Sequence, residues 1–135
     1  MKDTQQQITA ALLDAAHRFY RMGYQMSDGG NLSARMPGTD AMLVKGTNVD
    51  FGSLSLATLA VAGFDGALLH GGVAPSKEGK LHGAIYRSFP EVGGIMHCHS
   101  PWATAWAATH DALAFSTYHS EIKLGRICPV FDTGS

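Results

Sequence analysis

Cysteine is scarce in this chain, and neither Cys98 nor Cys128 belongs to a CxxC motif or has a close cysteine partner. Cytosolic thiols are the simpler reading of such a pair. No run of eighteen apolar residues exists, so no transmembrane helix is expected. The first residues, Met1 to Gln7, lack the apolar core of a signal peptide, which points to a cytoplasmic protein. Excess charge of either sign is also lacking. A formal net charge of -1 argues against a broad grip on nucleic acid and leaves small, locally held anions as ligands. Linkers, repeats and low-complexity tracts are missing, so the 135 residues are expected to form one domain with one core. What is plentiful is glycine, with 16 residues, and histidine, with 7. The first signals tight turns or backbone-lined sites.

Local patterns predict the elements. Thr4-Gln5-Gln6-Gln7 fits a capping box with Thr4 as N-cap. Ile8, Leu12, Ala15, Ala16 and Phe19 then recur at helical spacing, predicting a helix over residues 5–22 that stops at Gly23. Strands are expected over 32–36 and 41–45, a helical turn within 54–59, and a hairpin of 60–64 with 67–69 around Asp65-Gly66. Ser76 is the expected N-cap of a second helix whose apolar face is Leu81, Ala84, Ile85 and Phe89, ended by Pro90. A strand over 92–99, a helix from Ser100-Pro101 to about Thr109 and a strand over 126–131 complete the order. Hairpins mixed with single strands between helices favour an α/β or α+β layered domain.

The chemistry gathers at His97-Cys98-His99. Side chains alternate along a strand, so the two imidazoles point the same way and Cys98 the other way, as a packing residue. Zinc, Mn²⁺, Fe²⁺ or Co²⁺ accepts such ligands. A catalytic zinc usually has three protein ligands and an open position, and this pair supplies two. Glu78, alone, reads as a solvated acid in a helix first turn, where the helix dipole favours negative charge. Beside a histidine strand it would reach a metal or a substrate. The loops Gly29-Gly30-Asn31, Gly46-Thr47-Asn48 and Pro75-Ser76-Lys77 offer amides, hydroxyls and one full positive charge to a small anion. Each alone is an ordinary turn. His70, His82 and His110 read as surface or helix-face residues.

Four segments occur in a fixed order: Gly30-Asn31-Leu32-Ser33-Ala34-Arg35, Pro75-Ser76-Lys77-Glu78, Leu81-His82-Gly83-Ala84-Ile85-Tyr86 and His97-Cys98-His99-Ser100. Together they resemble the class II aldolase/adducin family over most of the chain, from about Gly23. The resemblance implies a three-layer α/β/α domain around a mostly antiparallel sheet, one domain over residues 1–135 that lacks the family's C-terminal part. It implies His97 and His99 as zinc ligands and Glu78 as catalytic acid/base. Gly30, Asn31, Thr47, Ser76 and Lys77 would hold a substrate phosphate, and Tyr118 would be a proton donor. Lys77 stands where several family aldolases carry a second serine, and Asn48 where a glycine is frequent. The family's third histidine ligand lies well downstream of the pair, and His119 is the local substitute. The implied activity is zinc-dependent aldol cleavage of a ketose phosphate through an enediolate, in a cytoplasmic homotetramer. Epimerase, dehydratase and decarboxylase chemistry on a related sugar phosphate, or a non-catalytic adducin-like interaction module or fragment, are the alternatives. Neither nucleic acid nor membrane is an expected partner.

Overall fold

The computed structural model describes residues 2–131. Two compact units are present, Met1–His99 and Ser100–Ser135. In the first, β1 (Asn31–Arg35), β2 (Ala41–Lys45) and β3 (Leu59–Gly63) are buried on both faces. A sheet of that kind needs a layer on each side. With β4 (Leu68–His70) and β5 (Gly94–His97) they form a sheet of order β4-β3-β2-β1-β5, antiparallel throughout. The hairpin turn at Asp65-Gly66 uses the positive φ of Gly66, 83°.

Alternation sorts the strand residues. Leu32, Ala34 and Leu43 pack with Leu12 and Ala16 of α1 (Lys2–Arg21) and with Phe51 and Leu54. Met42, Val44, Ala60 and Ala62 face the other way, toward Phe64 and toward Tyr86 of α2 (Gly79–Ser88). The first unit is therefore the expected α/β/α sandwich. The second unit contains α3 (Pro101–Ala107), a β6–β7 ribbon (Ala112–Ala114 with Ile127–Pro129) and α4 (Tyr118–Leu124). Pro101 stands in the first turn of α3, as expected. The strand expected over 126–131 is β7, whereas β6 and α4 carried too few residues for a periodic signal.

Three expectations fail on α1 and α2. The Thr4–Gln7 segment lies inside α1, which already runs from Lys2, so it caps nothing. Ser76 is not the N-cap of α2. Glu78 holds that position without a side-chain cap bond, and the Ser76 amide instead donates to the Lys45 carbonyl at 2.9 Å. The inward face of α2 is Gly79, His82, Gly83 and Tyr86, while Leu81 and Phe89 are 56% and 52% exposed. Close approach explains the reversal. A Cβ on Gly83 would stand 1.9 Å from the Phe64 carbonyl oxygen, so only glycine lets the helix come this near.

His82, read from sequence as a surface or helix-face residue, is 1% exposed. Its Nδ1 and the Tyr86 hydroxyl each lie 2.8 Å from the Ser33 hydroxyl on β1. Arg35 reaches the C-terminal end of α2, where it donates to the Tyr86 and Phe89 carbonyls, and its guanidinium stacks 4.8 Å from the Tyr86 ring centroid.

Two outcomes follow for stability. Alanine for glycine on an open helix face stabilises by about 1 kcal/mol; Gly83→Ala should instead cost about 1–3 kcal/mol in denaturant unfolding, because the added methyl overpacks the helix–sheet contact. Burial holds His82 below its ordinary value of 6.5, against the opposing pull of Glu78 and with help from His97. The unfolded chain takes up a proton near that value that the folded chain resists. This contribution to stability is full above it and is lost as pH falls toward the folded value. From about pH 8 to 5, the melting temperature of His82→Asn should fall less steeply than that of the parent protein.

Candidate active site

Register places the site. Asn31 on β1 pairs with His97 on β5, so the Gly29-Gly30-Asn31 loop leaves the sheet where the histidine pair does. β5 ends at His97, and His99 lies just past it; their ring centroids are 4.8 Å apart. Gly30 has φ of 65°, and a Cβ there would meet the His97 carbonyl oxygen at 2.5 Å and Gln25 Oε1 at 2.6 Å. Glycine is thus required on two counts, conformation and space. Gln25, 2% exposed, donates to the Gly29 carbonyl and accepts from the His99 amide at 3.3 Å. A buried glutamine thereby fixes both the glycine loop and the second histidine.

Glu78 comes from the N-cap of α2. Its Oε2 lies 2.8 Å from His97 Nδ1, with both side chains 40% exposed. A carboxylate against Nδ1 favours a proton on that nitrogen and leaves Nε2 with a free lone pair. Burial works to raise the Glu78 carboxyl. Hydrogen bonds from Asn31 and His97, with the attraction of His97 and His82 whenever those rings are protonated, outweigh it and hold the group below its ordinary value. The acid is therefore ionised at neutral pH and able to accept a proton. Asn31 is 3% exposed, with Nδ2 3.4 Å from His97 Nδ1; among the described residues its Oδ1 is the buried side-chain polar atom without a partner. An orphaned acceptor beside the pair costs stability until a ligand or water donates to it.

The other two loops are drawn to the same end of the sheet. Gly46 bridges to Pro75, the Thr47 amide and hydroxyl each donate at 2.9 Å, to Ala74 and Pro75 carbonyls, and Asn48 adopts a φ of 60°. Lys45 ties them to the first loop. Its amine, on a residue only 2% exposed, donates to the Asp28 carbonyl at 3.1 Å and to the Val49 carbonyl. Burial pushes that amine below its ordinary value, partly offset by Asp28 and Asp50. Ser76 is half-buried, and Lys77 is exposed.

Glu78, His97, His99, Gly30 and Asn31 are thus in mutual contact or one residue removed from it. Tyr118 and His119 stand exposed at the start of α4, in the other compact unit. Gln25, Lys45 and His82 escaped the sequence reading. For Lys45 a signal existed: a charge closing an otherwise apolar strand directly before Gly46. Among the described residues, no three His, Cys, Asp or Glu side chains converge on one point. The donor set still fits a divalent cation in part, with two imidazoles on one side and a carboxylate orienting one of them.

The chain matches the family described as Class II Aldolase and Adducin N-terminal domain over residues 10–134. It belongs to the class II aldolase and adducin family. It is 39% identical over 131 residues to the 3-oxo-tetronate 4-phosphate decarboxylase of Haemophilus influenzae, covering 92% of this chain and 61% of that protein. It is 31% identical over 123 residues to the L-ribulose-5-phosphate 4-epimerase UlaF of Salmonella paratyphi C, covering 90% and 54%. The chain thus spans little more than half the length of these curated relatives. YgbL from Escherichia coli superposes with a TM-score of 0.78 at 27% identity, over 91% of this chain and 61% of that one. L-fuculose-1-phosphate aldolase from Thermus thermophilus shares the fold, with a TM-score of 0.76 at 20% identity over 90% and 61%. Family membership accounts for the layered fold and for the order of the four segments.

The glycine loop offers a direct check. Gly30→Ala forces a methyl into the His97 carbonyl and a side chain into positive φ. It should cost about 1–3 kcal/mol in unfolding free energy. Gly72→Ala, where nothing lies within 4 Å, should stay within about 0.5 kcal/mol of the parent protein.

Proposed function

We propose that this protein breaks a carbon–carbon bond beside the carbonyl of a small phosphorylated sugar and then protonates the enediolate left behind. The contact between Glu78 Oε2 and His97 Nδ1, 2.8 Å, carries this reading. It sets an ionised carboxylate next to an imidazole whose other nitrogen is free for a metal. His97 and His99 would hold zinc, or Mn²⁺, Fe²⁺ or Co²⁺ in its place. When bound, such an ion supplies Lewis-acid stabilisation of negative charge on substrate oxygens.

The residues do the rest. Gly30, Asn31, Thr47, Ser76 and Lys77 would bind and orient the phosphorylated substrate, with Lys45 keeping their loops together. Glu78 moves a proton to or from the carbon next to the carbonyl. In the cleavage direction the bond to the departing group breaks, its electron pair stays on the sugar fragment, and the acid form of Glu78 gives that carbon a proton replenished from solvent. In a retro-aldol step the hydroxyl carbon that becomes the aldehyde also gives up its hydroxyl proton, which passes to solvent; in the reverse, condensing direction Tyr118 is the candidate phenol that donates it to the aldehyde oxygen.

The names of the relatives sharpen the substrate class. L-Fuculose 1-phosphate loses an aldehyde to leave the enediolate of dihydroxyacetone phosphate; 3-oxo-tetronate 4-phosphate loses carbon dioxide to leave the same species. Aldehyde release is the primary reading. The 39% identity to the decarboxylase favours carbon dioxide release as the second. A cytoplasmic homotetramer acting on such a sugar phosphate, without nucleic acid or membrane partners, completes the proposal. No helix among the described residues is long and apolar enough to cross a membrane.

Deuterium incorporation into dihydroxyacetone phosphate tests the step common to both. The full-length protein with zinc should exchange one hydroxymethyl C–H, and Glu78→Gln should slow that exchange by about a hundredfold to ten-thousandfold. His97→Ala should lose bound metal. Exchange unchanged in Glu78→Gln, or metal content unchanged in His97→Ala, contradicts the assignment. A panel of L-fuculose 1-phosphate, L-ribulose 5-phosphate and 3-oxo-tetronate 4-phosphate then identifies the departing group.

A further inference from the structure

Beneath the Glu78–His97 contact lies a second polar cluster that takes no part in proton transfer. Ser33, His82 and Tyr86 are each 1% exposed. The Ser33 hydroxyl stands 2.8 Å from His82 Nδ1 and 2.8 Å from the Tyr86 hydroxyl. These are the links between the polar face of α2 and β1. A core at this position filled by apolar side chains would need no such directional bonds, and the cost of burying three polar groups is offset only if all are satisfied.

The placement of these residues is what gives them a role. His82 is one helical turn past Glu78, and its amide donates to the Glu78 carbonyl at 3.1 Å. Ser33 pairs in register with Ile95, two residues before His97. The cluster therefore joins the two elements that carry the carboxylate and the imidazole. Gly79 and Gly83 bring the helix backbone down onto the sheet and supply no side chain that would fix its rotation or slide. Arg35 secures the far end of α2 through the Tyr86 and Phe89 carbonyls. At the Glu78 end, the bonds to Ser33 hold the inward face of the helix, while the Ser76 amide bond to the Lys45 carbonyl holds the chain just before it.

We propose that Ser33, His82 and Tyr86 form a buried positioning relay that sets where Glu78 stands against His97. In this arrangement the Tyr86 hydroxyl donates to Ser33, and the Ser33 hydroxyl donates to a neutral His82 at Nδ1. Each hydroxyl then has one role as donor, and the chain has a direction. Burial keeps the Tyr86 phenol protonated and His82 uncharged, which suits that direction. His82 and Tyr86 act through Glu78 and are positioning residues. The effect on turnover rests on the reading of Glu78 as the acid/base; the effect on His97 does not.

The test uses the full-length protein labelled with ¹⁵N-histidine, metal-free, with the His97 signals assigned by their loss in His97→Asn. The parent protein should show His97 protonated at Nδ1 in a single tautomer. His82→Phe fills the same space without an acceptor, and Tyr86→Phe removes one hydroxyl. Both should move His97 toward a mixture of tautomers. With zinc restored, both should lower kcat for deuterium exchange into dihydroxyacetone phosphate by about tenfold to a hundredfold, with KM little changed. His82→Asn, which keeps an acceptor near Nδ1, should recover most of both readouts. If His82→Phe does not fold, Tyr86→Phe decides alone. A parental His97 signal in folded His82→Phe and Tyr86→Phe, with only the melting temperature lowered, overturns the relay. Parental exchange in Glu78→Gln overturns the acid/base reading instead, and the His97 signal still judges the relay.

Discussion

The pairing of β1 with β5 is the constraint on which the site depends. It brings Asn31 opposite His97, residues distant in the chain, and so places the glycine loop against the histidine pair. A slip of one residue would turn His97 to the opposite face of the sheet if β1 stayed in place, or swing Ser33 toward α1 if β5 did. Register is protected from both sides. Leu32 and Ala34 must face the α1 layer, and Gly30 fits only where the His97 carbonyl and Gln25 leave room for a hydrogen.

The helix α2 adds the acid. It approaches the sheet through glycine backbones, and the gap between them holds polar side chains. Such a layer is unusual in a small core, because each buried polar group needs a partner. Here the partners are present for Ser33, His82 and Tyr86, and missing only for Asn31 Oδ1 among the described residues. The single orphan is buried beside the Glu78–His97 pair. Lys45 and Gln25 extend the same design outward, each spending a buried polar group on the carbonyl oxygens of neighbouring loops.

Much of this was legible in the residues. The strands β1 and β2 and the Asp65-Gly66 hairpin follow from apolar runs and turn chemistry; the histidine pair was legible too, although β5 ends at His97 and strand alternation stops short of His99. Glu78 was legible only through its company, since nothing local distinguishes it from a solvated helix acid. The inward face of α2 was not legible. Hydrophobic periodicity points to Leu81, Ala84, Ile85 and Phe89, and that rule assumes that side chains fill the interface. At Gly83 the backbone does so instead, and the helix turns its polar face inward. His82 and Gln25 were unreadable for a related reason. Burial of a polar side chain is decided by partners far along the chain, such as Ser33 for His82, and no local pattern announces them. The segments β6 and α4 are too short for periodicity to speak.

The central claim is that Glu78 takes Nδ1 of His97 and thereby leaves Nε2, with His99, for a catalytic cation. Anomalous diffraction from crystals of the full-length protein grown with zinc tests this most directly. An anomalous peak should stand about 2.0–2.1 Å from His97 Nε2 and from one nitrogen of His99, with Glu78 still bonded to Nδ1. A peak bound to His97 Nδ1 in place of Glu78, or no zinc at the pair, would contradict it.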